Sequence, residues 1–130
     1  MSLFACGDRV VTELDFVRLT KLETSGAPDE LSDALELAEQ VPSPAVPADV
    51  VTMYSQIQIL EDGTPQPRTL TLCYPDDAEP AQGFISVLSP VGASLLGLRV
   101  GAQARWVTPQ GEPRTARVLA ILFQPEASGD

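Results

Sequence analysis

The sequence predicts an α+β protein: a short antiparallel helical hairpin followed by an antiparallel sheet domain with one short helix. Three observations carry this. Two apolar stripes at helical spacing flank the turn Ser25-Gly26-Ala27-Pro28, short alternating segments separated by Gly, Pro and Asp fill residues 50–123, and one Ser-Pro start with a Gly stop lies among them.

The first helix is expected from Thr12, which with Asp15 forms a capping box using Asp in place of the usual Glu or Gln. Leu14, Phe16, Val17, Leu19 and Leu22 supply its apolar stripe. After the turn, Leu31, Ala34, Leu35, Ala38 and Val41 form a second stripe, with Asp29, Glu30 and Asp33 placed near its start, where carboxylates favour the helix dipole. Each arm spans about 12–13 residues, a marginal length for an isolated helix, so the two should pack on each other. Residues 1–41 are thus read as the hairpin. Prolines 42, 44 and 47 stop it, which makes residues 42–49 a linker and 50–130 a separate domain.

In that domain, strands are expected over Val50–Leu60, Thr69–Tyr74 and Phe84–Leu88. Ser89 caps a helix whose first residue is Pro90, Leu95 and Leu96 anchor it, and Gly97 suits its exit. Adjacent helical positions differ by about 100°, so one of the two leucines should face the sheet more squarely. Gln103–Thr108 and Thr115–Phe123 flank Pro109–Pro113 as a hairpin, and residues 118–123, apolar on both faces, place the last strand centrally.

Composition narrows function. The formal charge is -10; residues 1–41 hold nine acids and three bases, the remainder nine acids and five bases. Autonomous nucleic-acid binding needs a basic surface, so a basic protein surface is the better partner. No apolar run approaches the roughly 20 residues of a membrane helix, and no secretory leader is visible, which points to the cytoplasm. Cys6 and Cys73 are read as ordinary thiols. There is no histidine, which removes His-dependent catalysis and imidazole metal ligands; the single lysine, Lys21, reads as a solvated helix residue. Gly92, Gly97 and Gly101 lack the lysine of a phosphate loop. Asp76, Asp77 and Glu79 form the densest acid cluster of the second part, between Pro75 and Pro80, as an exposed loop would. Arg99 and Arg105, with Trp106 beside them, are contact candidates, since arginine and tryptophan recur at binding hot spots. No catalytic residue, metal or cofactor is expected.

Val51-Thr52-Met53-Tyr54-Ser55, Leu72-Cys73-Tyr74-Pro75-Asp76-Asp77-Ala78, Ile85-Ser86-Val87-Leu88-Ser89-Pro90-Val91-Gly92, Leu95-Leu96-Gly97-Leu98 and Gln124-Pro125-Glu126-Ala127 together resemble the Gre transcript-cleavage and elongation factor family, in its regulator-of-nucleoside-diphosphate-kinase branch. The resemblance covers residues 12–130. It implies an FKBP-like domain preceded by a coiled-coil hairpin, and binding of bacterial RNA polymerase near the secondary channel, through which nucleotides enter. In Gre factors a long coiled coil carries tip acids to the polymerase active centre; the tip acids here are Asp29 and Glu30, on arms much shorter. The expected function is therefore a monomeric, non-enzymatic polymerase-binding regulator that does not stimulate transcript cleavage. An acidic adaptor for another protein partner is the alternative, and a prolyl isomerase a third reading, though fold alone does not import that activity.

Overall fold

A computed structural model describes residues 9–23 and 29–127 of the chain. The element order is β1 (Val10–Thr12), α1 (Glu13–Glu23), α2 (Asp29–Leu37), β2 (Glu39–Val41), β3 (Gln56–Glu61), β4 (Arg68–Cys73), β5 (Phe84–Ser86), α3 (Pro90–Leu95), β6 (Gln103–Val107) and β7 (Pro113–Phe123). Short 3-10 turns at Ser43–Ala45, Pro75–Asp77 and Pro80–Gln82 fall where prolines preset the backbone.

The helical arms begin as their residues require. Thr12 Oγ1 accepts the Asp15 N–H at 3.1 Å, so the predicted cap forms. On α2, Leu31, Ala34 and Leu35 are buried as the stripe requires, but the helix ends at Leu37, so Ala38 and Val41 of the expected stripe lie beyond it, Val41 in β2. On α1, Leu19 is buried but Leu14 and Val17 are half exposed, so the stripe there is narrower than its spacing suggests. A two-stranded parallel ribbon, β1 with β2, brackets the hairpin; its three-residue strands are too short for periodicity to reveal.

The main sheet has the order β5-β4-β3-β7-β6. β7 is internal, as expected. The sheet is mixed, however, because β4 and β5 run parallel, joined by the two proline turns rather than a tight hairpin. β3 also starts later than the expected Val50, at Gln56. Tyr54 sits at φ 67, Ser55 N–H bonds Thr52 O at 3.0 Å, and Thr52 N–H bonds Ser55 Oγ at 2.9 Å, so residues 52–55 turn before the ladder begins.

Ile57, Ile59, Leu70, Leu72, Ala104, Trp106, Ala116 and Val118 point inward onto α3 and form one core. Leu19, Leu31 and Leu35 of the arms belong to the same cluster, so the arms share their apolar core with the sheet domain. Val46 from the Pro-rich segment and Val50 just after it pack with Val10 in a smaller cluster, and Gln124 Nε2 holds it by bonds of 2.8 Å to the carbonyls of Pro47 and Val50. The outer face of β7 is not covered. Leu122 and Phe123 are exposed, so apolar residues on both faces here do not mean burial on both.

Candidate functional site

The Ser-Pro helix motif assembles as its residues dictate. Ser89 Oγ accepts the Gly92 N–H at 3.0 Å and donates to Ser86 O at 2.7 Å, with Pro90 at the first helical position. Gly92 is demanded by space: a Cβ there would stand 2.1 Å from Ser86 O. Gly97 has φ +81, and its N–H and carbonyl bond Val51 O and Val10 N–H at 2.9 Å each. Leu95 and Leu96 are both buried completely, because α3 packs against the sheet as well as against α2. Arg9 completes the site by donating Nη1 to the carbonyls of Ser94 (3.0 Å) and Leu96 (2.7 Å), at the helix end where a cation is favoured. This motif is a structural keystone with no exposed reactive group.

The basic candidates separate. Arg99 is exposed and paired with Asp49 at 3.6 Å. Arg105 is exposed on the outer face of β6 and donates to Gln103 Oε1 at 3.4 Å. Trp106 alternates inward and is 6% exposed, so its ring is core and not a surface anchor. Its neighbour in space is Arg114, opposite it on β7, which pairs with Glu112 at 3.2 Å.

The acidic cluster is exposed, as a proline-bounded loop should be. Asp77 Oδ2 accepts a short bond from the Tyr54 hydroxyl. Desolvation, together with this bond and the Asp77 charge, pushes the Tyr54 phenol up to about 12. Asp76 and Glu79 do not join it in a cation cage: among the described residues no group of three or more acids or cysteines is placed to hold a metal. Asp29 and Glu30 open α2; their side chains lie outside the described residues, as does Cys6. Cys73 is buried and unpaired, and its desolvation raises the thiol's pKa away from reactivity.

Two features were not apparent from sequence. An open cleft of about 540 Å³ lies between α1 and the Tyr74–Asp76 turn, with Arg18, Lys21 and Leu22 on one wall and Leu88 on the other. Beneath it Asp15 is 6% exposed. Its carboxylate accepts from Met53 N–H at 3.5 Å and from Tyr74 Oη at 3.4 Å, and burial, then the charge of Glu126, raises its pKa. Glu126 in turn accepts from Thr52 Oγ1 at 2.7 Å. Only the capping signal marked Asp15, and a cap residue gives no hint that its side chain reaches across to another element.

Residues 46–123 match the family described as transcription elongation factor, GreA/GreB, C-terminal. The chain is 38% identical over 129 residues to the regulator of nucleoside diphosphate kinase of Escherichia coli K12, covering 93% of each protein. It is 38% identical over 74 residues to transcription elongation factor GreA of Solidesulfovibrio magneticus, covering 57% of this chain but 45% of that one. Among solved structures, a prokaryotic transcription elongation factor GreA/GreB from Nitrosomonas europaea is 34% identical and superposes with a TM-score of 0.72, covering 89% of this chain and 98% of its own. No helix among the described residues is long and apolar enough to cross a membrane. With the keystone motif in place and matches of this extent, the chain belongs to the GreA/GreB family of transcription elongation factors, on the side represented by the regulator of nucleoside diphosphate kinase.

Proposed function

We propose that this protein is a transcription regulator that docks on bacterial RNA polymerase near the secondary channel and does not stimulate transcript cleavage. In this reading residues 50–130 are an FKBP-like docking body, residues 1–41 are a stub of coiled coil, and residues 42–49 connect them. The observation that carries it is arm length. α1 has 11 residues and α2 has 9, so at about 1.5 Å per residue the arms reach only about 14–17 Å. The GreA match covers only 45% of that longer protein, which supports a shared docking body without a shared reach. Asp29 and Glu30 then stay short of the catalytic metals, and occupancy acts by excluding a longer factor or altering nucleotide entry. Arg99 and Arg105 are the exposed cations offered to the polymerase, and the protein works as a monomer without an enzymatic activity of its own.

Backtracked elongation complexes test this with the protein alone, with a cleavage factor, and with both. No cleavage is expected from the first, and dose-dependent inhibition in the mixture. Cleavage by this protein alone, abolished by Asp29→Asn with Glu30→Gln, overturns the short-arm argument.

A further inference from the structure

The two ends of the main sheet finish differently. At β5 the chain closes its own edge: Glu79 N–H donates to Phe84 O at 2.9 Å and Phe84 N–H to Glu79 O at 3.1 Å. Beyond β6 no strand pairs among the described residues. Register decides which groups are open there. Ala104 faces Ala116 and Trp106 faces Arg114. The flanking bonds, Val118 N–H to Ala102 O at 3.0 Å and Thr108 N–H to Glu112 O at 2.9 Å, commit the even-numbered residues to β7. In an antiparallel ladder the residues between them turn their backbone groups the other way. Gln103, Arg105 and Val107 therefore aim N–H and C=O at the open side, and all three are exposed. Such an edge is a template for another strand.

Charge selects what the template accepts. The chain carries -10 overall, yet residues 103–117 hold three arginines and a single acid, Glu112, which is already paired with Arg114. Arg105 and Arg117 are in no ion pair among the described residues; they bond Gln103 Oε1 and Gly101 O instead. A hollow of about 460 Å³ opens beside Arg105 and Arg114, with Val107, Pro113 and the edge of Trp106 also lining it, and it is suited to an apolar side chain. A second copy of the chain fits poorly. Two β6 strands paired antiparallel about their middle outward residue would set Arg105 against its own counterpart, and like charges directly opposite destabilise a ladder.

We propose that the open edge of β6 takes up an extended acidic segment of a partner protein as a sixth strand. Its backbone bonds Gln103, Arg105 and Val107, a carboxylate meets Arg105, and an apolar residue enters the hollow beside Val107. The proposal rests on the reading above in taking the arginine-bearing side of the sheet as the docking side, and it adds the mode and the chemistry of the contact.

The probe is a fluorescein-labelled heptapeptide alternating acids with valine, titrated into the full chain and followed by anisotropy and amide hydrogen exchange. Saturable binding is expected, with exchange slowed at Gln103, Arg105 and Val107. Arg105→Glu, at an exposed position that leaves the melt unchanged, should weaken binding about tenfold, and a lysine-valine peptide should then bind that variant. Methylating the alternate peptide amide nitrogens that face β6 should abolish binding. Equal affinity for parent and Arg105→Glu, or for methylated and unmethylated peptide, overturns strand addition. So does sedimentation as a dimer with these amides protected before peptide is added, which assigns the edge to a second copy. Capture on core polymerase, run in parallel, separates the two readings: captured protein that ignores the peptide refutes the strand site alone, and peptide binding without capture refutes the polymerase reading alone.

Discussion

The two arms of the hairpin are built from similar apolar stripes and end up oriented by opposite forces. α2 does what periodicity asks: Leu31, Ala34 and Leu35 are buried and the acids Asp33 and Glu36 face solvent. α1 buries an acid, Asp15, and leaves Leu14 and Val17 outside. Residues 14 and 15 are adjacent, about 100° apart on the helix, so α1 cannot turn Leu14 fully inward while Asp15 reaches Met53 and Tyr74. The hydrogen-bonded anchor wins. A buried carboxylate costs more than a half-exposed leucine unless its partners are in place, and the position of those partners on the sheet side then fixes the rotation of the whole arm.

The largest break in this comparison comes from α2, whose packing is purely apolar. Leu31→Ala removes a fully buried side chain from the cluster shared with the sheet and should cost about 2–5 kcal/mol. Denaturant unfolding followed by tryptophan fluorescence measures it, because Trp106 lies in that cluster. A loss below about 0.5 kcal/mol, the scale of surface substitutions, would mean that the arm is not part of the core.

How far the sequence could be read follows from the same contrast. Elements whose orientation depends on local rules were legible: the Thr12 and Ser89 caps, the α2 stripe, the inward alternation of Ile57 with Ile59 and of Leu70 with Leu72. Elements decided by distant partners were not. The parallel β4–β5 pair depends on the Glu79–Phe84 bridge, and the late start of β3 depends on Thr52 and Ser55 bonding each other. Trp106 read as an anchor because an aromatic beside arginines resembles a hot spot, but its alternation with Arg105 already placed the two on opposite faces. For the candidate surface, the arginines were visible in sequence, whereas the open edge that gives them a use emerges only from strand order.

A smaller effect, with a sign, comes from Asp15. Its folded pKa lies above the ordinary carboxylate value of 3.8 because burial disfavours the charge, with Glu126 adding repulsion and the Met53, Thr12 and Tyr74 bonds opposing. The folded state therefore binds the proton more tightly than the unfolded chain. Stability from this group is fully present below the unfolded pKa and is lost as pH rises through the folded one, then stays level. Arg18, which also bonds the Tyr74 hydroxyl, is the nearby positive charge. Asp15→Asn keeps an acceptor for Met53 N–H and removes the charge, so it should be more stable than the parent at pH 7, with the advantage shrinking towards pH 4. Melting curves across that range check it. An advantage that does not change with pH would show that Asp15 does not titrate in this window.

The smallest effect is expected on the other side of the same helix. Leu14 and Val17 are 52% and 53% exposed, so replacing both by alanine removes apolar surface that is already largely in water. Little transfer energy is lost, and helix propensity moves slightly in favour of the variant, since Val→Ala gains a few tenths of a kcal/mol within a helix. The double variant should lie within about 0.5 kcal/mol of the parent, against the several lost at Leu31. The comparison is sharp because the alternative predicts the reverse. If the apolar stripe rather than Asp15 set the rotation of α1, Leu14 and Val17 would pack inward and the double substitution would cost as much as Leu31→Ala. Asp15 would then stand in water, and Asp15→Asn would show no pH-dependent gain. A single set of melts on the three variants therefore decides whether the polar anchor or the apolar stripe orients the first arm.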